Sequence, residues 1–590
     1  MKIKFYATLL CVAVFIMGLR VAAQMKPETM RQSQSLPDEK TLKTQEQKQD
    51  IQHMTATGDV IFTPPVATTA GTTQTPNGCL TSTIVTTNAD SGPGSLRYIV
   101  ANACFGATVT FDPSVTVITL TSGQIPITQA ITITGNGVDK LTISASNLSR
   151  VFYIKTPTAT STVTISGLSI QDGKLPSNTL YGGAGVFINI GTVNLSNCNI
   201  SNNDATLAIN SDGAGVYDST GNTGLVSIDR CSLINNTTDR LGGGIATWAT
   251  GLMTVSNSTL SGNKSTGAKS GSGYGGGAFY NGPISFVNCS IYGNTAYAAG
   301  GNLFKNNSGT LTLGNSIVGG GKLTVSATPP TGNGIDVYGT FISNGYNVIQ
   351  NTGGYTLDGS TTGNQLGIDP QLLPLATYGG TTPTLLPMSN SPVIDAGDPT
   401  FLAIATDQRG FPRKVGSSAD IGAVETNYTA TATSGTPQTA TINFPFSSPL
   451  VATVKESGNN IAGDTVTFTA PGSGASGTFM GASATAAAVT NTSGVVTSPT
   501  FTANGTLGSY NVAGSLGSAF TGFSYALTNG SNNLMAFTGC PNNNIVLARP
   551  GYNTYNNEPV SFYTLDTATG VATLIPGGPL KDSATDKTLI

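Results

Sequence analysis

The chain has 590 residues, of which 74 are glycine and only 9% are charged, and its formal net charge is −3. This composition, rich in Ser, Thr and Asn as well, excludes a helix-rich cytosolic enzyme and points to several β-rich, extracellular domains. A weakly acidic balance without basic clusters excludes nucleic acid as partner. The single histidine, His53, lies in a polar N-terminal stretch, so histidine catalysis and histidine metal sites are excluded from the folded part.

Residues 1–23 carry Lys2 and Lys4, an apolar run ATLLCVAVFIMG and the small-residue end VAA, the pattern of a secretory leader. Its loss removes Lys2, Lys4 and Arg20, leaving 23 of the 26 basic groups against 29 acidic ones and no transmembrane segment. Cys11 sits inside the apolar run, away from the cleavage point, which argues against a lipid anchor. Residues 24–78 read as a solvated tether followed by a Thr/Pro-rich linker.

From Cys79 the style changes. Ser95 is placed to cap a short helix with Leu96, Ile99 and Val100 on one face. Strand-like runs start at Thr108, Val117, Ile125 and Ile131. An amphipathic element here would cover the open edge of a first coil. Cys79 and Cys104 bracket this segment and are either a disulfide or two free thiols.

Between about residues 160 and 340 a phrase recurs. Gly-rich halves (GGAGVFI from Gly182, GAGVYD from Gly213, GGGIAT from Gly242, GGGAFYN from Gly275, GGNLFKN from Gly300) alternate with Asn/Ser/Cys-rich halves such as NLSNCNISNN and SIDRCSLINN. Cys198, Cys231, Ser258 and Cys289 hold equivalent places, with spacings of 33, 27 and 31 residues. Short alternating apolar runs between tight corners, repeated at this period, predict stacked coils of three strands: a right-handed parallel β-helix. At about 28 residues per coil, residues 115–370 would form about nine coils, a rod of about 43 Å. Asparagines at fixed corners, including the sequon positions Asn235, Asn257 and Asn288, suit amide ladders between coils. Cys198, Cys231 and Cys289 read as a buried stack of small thiols.

Residues 341–425 contain GYNVI, DPQL, SPVIDAGD, TDQRGFPRKV and ADIGAVE in that order. Together with the opening DSGPGSLR, TVTFD and ITLTSGQIPIT, these resemble secreted bacterial β-helix surface proteins of the choice-of-anchor type, whose coils are similar to polymorphic outer membrane protein repeats. The resemblance spans roughly residues 79–425. It implies a capped β-helix at a cell surface and supplies no agreed catalytic set. Residues 427–529 have the alternation of a β-sandwich and resemble bacterial immunoglobulin-like domains, here without cysteine. Residues 530–590 hold a hairpin around DTATG that is similar to one propeller blade.

Three groups of side chains invite a chemical reading. Asp212, Asp239 and Arg240 lie in adjacent units and would serve as the acid pair and base of a polysaccharide lyase or hydrolase, or else are solvated corner residues. Asp395, Asp398, Asp407 and Asp420, with Arg409, Arg413 and Glu425, form either a Ca²⁺ or carbohydrate site or an ion-pair network that fastens the closing segment over the last coil, with Asp407 and Asp420 holding the two arginines; the second is favoured. Tyr181, Tyr274, Tyr280, Tyr292 and Trp248 would line a sugar-binding face, or are scattered surface aromatics. The expected function is that of an exported, monomeric, non-catalytic adhesin-like or structural protein that binds an extracellular glycan or surface protein through the β-helix, with either no cofactor or, at the Asp395–Asp420 cluster, Ca²⁺. The alternatives are the lyase or hydrolase, and a rod that only spaces a binding element at 530–590.

Overall fold

The computed structural model describes residues 78–531, apart from 81, 269–271, 307, 326–333 and 400–404, and the backbone of four strands beyond them. The leader and tether lie outside the described residues. The chain divides into two units, Met1–Asn427 and Tyr428–Ile590.

The first unit is a parallel β-solenoid of about 8 turns. Each recurring phrase forms one coil, because its apolar residues alternate and only one side of each strand can enter the lumen. Ile165, Leu195, Ile228, Val255, Phe286 and Leu313 share one inward column, and all are buried. Three long ladders run the length of the rod, with a fourth of two-residue strands, Thr237–Thr238, Lys264–Ser265, Thr295–Ala296 and Lys322–Leu323, at one corner. The first coil is closed as expected: Ser95 accepts from the Tyr98 amide, and Leu96, Ile99 and Val100 of the helix Leu96–Asn102 are buried. Cys79 and Cys104 form a disulfide across this cap. Arg97 ties the helix to the coil, donating to the carbonyls of Gly123 and Gln124 and to Asp90.

Left-handed backbone turns the corners. One column runs through Gly183, Gly213, Gly242, Gly275, Gly300 and Gly334, with φ between 58° and 68°. Asn197, Asn257, Asn288 and Asn315 share a second column with Arg230; asparagine tolerates this region best among residues with a Cβ. The amide ladder is continuous. Asn203 donates to Asn236, Asn236 to Asn263, and Asn263 to Asn294, each at 2.9 Å. It continues through Asn302 to the carboxylate of Asp336 at 2.9 Å. Each Oδ1 also accepts the backbone N–H of the preceding coil's asparagine, as for Asn203 to Asn236 at 3.1 Å. Asn236→Ala should therefore cost about 2–3 kcal/mol, since two buried donors of Asn203 lose their acceptor. Chemical denaturation would measure it, and a loss below about 0.5 kcal/mol would show that the ladder is not a stabilising element.

After the last coil the chain turns back. Residues 370–399 and 405–426 do not sit over the end of the rod, the position expected from sequence. They run along its flank as a strap over the ten-stranded ladder that begins at Val117–Thr119. Gln365 Nε2 donates to the Pro392 carbonyl, Val393 and Ile421 bury Ile317 and Val348, and the Ala423 amide donates to Ser290 Oγ. Thr259 meets Gln408 and Thr384, and Ser232 donates to the Pro383 carbonyl. Small hydroxyl residues facing outward on this ladder allow the strap to approach closely and supply its hydrogen bonds.

The second unit contains antiparallel sheets. Val466, Phe468, Phe479, Phe501, Tyr525 and Leu527 are buried, with rings such as Phe479 and Phe501 4.6 Å apart. Gln438–Thr441 departs from the antiparallel pattern by pairing parallel to Phe523–Gly530. Beyond it, Met535–Phe537, Ile545–Arg549, Ser561–Leu565 and Ala572–Leu574 form a four-stranded antiparallel sheet that contains the expected hairpin.

Candidate functional site

The three long faces of the solenoid differ in what covers them. On the aromatic face, outward positions align Tyr153, Phe187, Tyr217, Ala246, Phe279 and Phe304 in register. Phe187, Tyr217, Phe279 and Phe304 are nevertheless buried, since corner segments bearing Leu241, Tyr274 and Ala299 fold over them. The rings stack, as between Phe279 and Phe304 at 5.6 Å with planes 7° apart. Trp248 fills the gap left by Ala246 and lies 5.4 Å from Phe279. Trp248 and Tyr274 are thus neither a sugar platform nor scattered surface residues. They belong to a second apolar core outside the lumen, with Tyr181 packed against it; Tyr280 is buried inside the coil and Tyr292 is half-buried.

The acids of the catalytic reading are brought together and buried beneath this layer. Asp212 Oδ2 accepts from Arg240 Nη1 at 2.9 Å and from Trp248 Nε1 at 3.1 Å, while Asp239 accepts from Ser211 Oγ. Asp212 is 1% and Asp239 5% exposed, so neither is a solvated corner residue. A glycosidase needs two carboxyl groups that a sugar can reach. Here Arg240 and the indole fix one carboxylate inside the wall, and the set acts as a fastener between neighbouring coils.

The strap's Asp407, Arg409, Arg413, Asp420 and Glu425 side chains are buried too and held by hydrogen bonds, although Arg413 Nε and Nη1 find no partner among the described residues. Arg409 pairs with Asp407 at 2.9 Å with both side chains fully buried, and it donates to the carbonyls of Tyr378 and Glu425. Asp420 does not hold Arg413 through its carboxylate, as expected from sequence. Its oxygens accept from the amides of Asp395 and Thr426 and from Thr426 Oγ1, while Arg413 donates to the main-chain carbonyls of Asp420 and Gly422. Asp395 Oδ1 accepts the amides of Ser417 and Ser418, and the Asp398 amide donates to Asn315. Burial pushes Asp420 up to about 6 and Glu425 up to about 8, the latter reinforced by Asp420. Backbone donors occupy positions that Ca²⁺ would need. Among the described residues no group of three or more His, Cys, Asp or Glu is arranged to hold a metal.

The thiols stack as expected. The Cys198 amide donates to Cys231 Sγ at 3.4 Å, the Cys231 amide to Ser258 Oγ at 3.0 Å and the Cys289 amide to Ser316 Oγ at 3.1 Å. Burial raises Cys289 to about 12, which leaves it an inert thiol.

The third face remains bare. Thr132, Thr164, Asn194, Ser227, Thr254, Ser285 and Thr312 form one outward column in register, and all are partly exposed. Beside it run Thr134, Ser166, Ser196, Asp229 and Ser256. The contrast with buried Ser232, Thr259 and Ser290 under the strap is one of covering, since residue types on the two faces are alike. Asp229 is the one acidic residue among these, and Arg230 pairs with it at 2.9 Å; farther along, the first column passes through Ile342 to the exposed Asp358. A separate groove of about 610 Å³ opens where the strapped face begins, between Pro113–Val117 and Asn136–Thr142. Asp139 is the only acid lining it, so it too lacks a carboxylate pair. The chain matches no protein-family model, and no curated protein matches it.

Proposed function

We propose that the protein is an exported, adhesin-like surface rod that binds an extracellular ligand, in the first place carbohydrate, on its bare hydroxyl face without transforming it. The observation that supports this reading is the selective covering of the solenoid. The chain spends a strap of over fifty residues on one face and a layer of corner segments on another, yet leaves a regular array of hydroxyl and amide groups in water. Such groups both donate and accept, as sugar hydroxyls do. Burial and pairing of Asp212 and Asp239 weigh against the lyase or hydrolase alternative.

Binding to a glycan array and to whole cells tests it. Thr164→Arg combined with Thr254→Arg should reduce binding at least about tenfold, whereas Thr119→Arg on the exposed start of the strapped face should not. Equal loss in both variants would refute the assignment to this face. Turnover of a polysaccharide by the native chain would refute the non-catalytic reading.

A further inference from the structure

Resting on that reading, we infer that the ligand of the hydroxyl face is an uncharged, extended polysaccharide chain lying parallel to the rod axis, with successive sugars over successive coils.

Three features carry the inference. The first is periodicity. Parallel pairing places the residues from Thr132 to Thr312 about 4.8 Å apart along the axis. That rise is close to the length of one pyranose in an extended β-linked chain, so a sugar over each coil meets the same pair of columns repeatedly. Across the axis the repeat is lost, because the face is only one strand wide and ends at corners on both sides.

The second is charge. Two like-charged polymer classes are disfavoured together: the columns offer no free lysine or arginine to a uronate or sulfated chain, and Asp229 is already paired with Arg230. A polycation would find one neutralised carboxylate and, at the far end of the first column, Asp358 alone. A neutral chain loses nothing by the absence of ions, and its hydroxyls meet groups of matching capacity.

The third is the mixed character of the face. The second column runs from Ser166, Ser196 and Asp229 through Val287 and Gly314 to Asn344 and Ser360, and the first passes Ile342, 44% exposed, before Asp358. Hydroxyl positions interrupted by apolar ones suit a pyranose chain, whose edges carry hydroxyls and whose ring faces carry C–H groups.

The test is length dependence. Trimers and heptamers of neutral β-1,4-linked glucose, mannose and N-acetylglucosamine, with galacturonate oligomers as the charged comparison, are titrated against the full chain by calorimetry. For at least one neutral series the heptamer should bind at least about tenfold more tightly than the trimer, and the galacturonate heptamer should bind more weakly than the neutral one. Ser227→Arg interrupts the middle of the column. It should cut heptamer affinity to near that of the trimer, while the trimer, which can occupy the coils on either side, changes a few-fold at most. Ser227→Thr, which keeps the hydroxyl, should restore the heptamer and so excludes a folding defect. Affinity independent of length, preference for galacturonate, or equal loss for both lengths in Ser227→Arg would overturn the inference. A protein ligand mapped to this face would also overturn it while leaving the adhesin reading intact, whereas absence of any ligand on arrays and cells would remove both.

Discussion

Asp407→Ala is expected to destabilise the solenoid unit by about 3–5 kcal/mol, because it leaves the fully buried Arg409 guanidinium without its counter-charge. Asp407 also accepts the amides of Arg409, Phe411 and Glu425, so its loss would free main-chain donors that the strap needs. The size of the effect follows from burial. An exposed pair of this geometry would be worth less than about 1 kcal/mol. Chemical denaturation should show the midpoint displaced to lower denaturant with little change in slope. Replacing both partners, Asp407→Leu with Arg409→Met, should recover at least half of the loss, since no uncompensated charge then remains. A single-variant loss under about 1 kcal/mol would mean that the strap is held by its apolar contacts alone.

The solenoid should be less stable at pH 8 than at pH 5, opposite to the usual behaviour of a carboxylate-rich protein. Asp218 occupies an inward position in the column where the preceding coil has Ile188 and the following one Thr247. It is fully buried, and burial raises it to about 8, partly offset by hydrogen bonds from Asn222 and Thr247. No ion pair reaches it; Tyr280, one coil beyond Thr247, is the titratable group next in its column, and burial raises that phenol as well. Between the ordinary aspartate value near 3.8 and about 8 only the folded chain keeps the proton, so stability falls with rising pH through this window and is level above it. Asp420 and Glu425, raised in the same direction, add to the slope. Asp90 acts oppositely and lower: burial opposes its ionisation, but Ser122, Arg97 and Thr121 hold it at about 2, and its contribution is lost as pH falls from about 4 toward 2. Asp218→Ile should raise stability at pH 8 by about 2–4 kcal/mol and flatten the slope, less about 1 kcal/mol for the stranded Asn222 amide. A slope unchanged in this variant would place the titrating group elsewhere.

The coiled architecture and its corner chemistry were legible because each coil repeats its own text, although the expected nine coils are about 8 in the structure. Amide ladders were expected at corner asparagines such as Asn235, Asn257 and Asn288. Asn257, Asn288 and Asn315 do bond in series, but the longer ladder is made by Asn203, Asn236, Asn263 and Asn294, one place after the left-handed corner, with Asn236 rather than Asn235. The thiol stack is visible for the same reason. The strap was not, since its partners, such as Ser232 and Gln408, lie 176 residues apart and nothing in either neighbourhood repeats. Its route depended on which outward columns were small enough to be covered, a property of register between coils. The aromatic layer had a signal that went unused: Phe187, Tyr217, Phe279 and Phe304 stand at the same step after each glycine run, as regular as the cysteines. Surface composition suggested exposed rings; only the fold-over of the corner segments puts them inside. The bare face was legible as Thr-x-Thr alternation in TVTIS and TLTLG, but which of three similar faces would stay uncovered was not.

The strap also changes how the rod would yield to force. A stack of coils joined only to its neighbours frays from an end, each turn separating at low load before the next is stressed. Here one segment spans six successive turns, from Ser232 to Gln365, and is pinned at several of them. A pull transmitted through the chain beyond residue 427 would first load that segment sideways, across many bonds at once, and the terminal turns would be shielded until it tore. Resistance of this kind would serve the proposed surface-binding role.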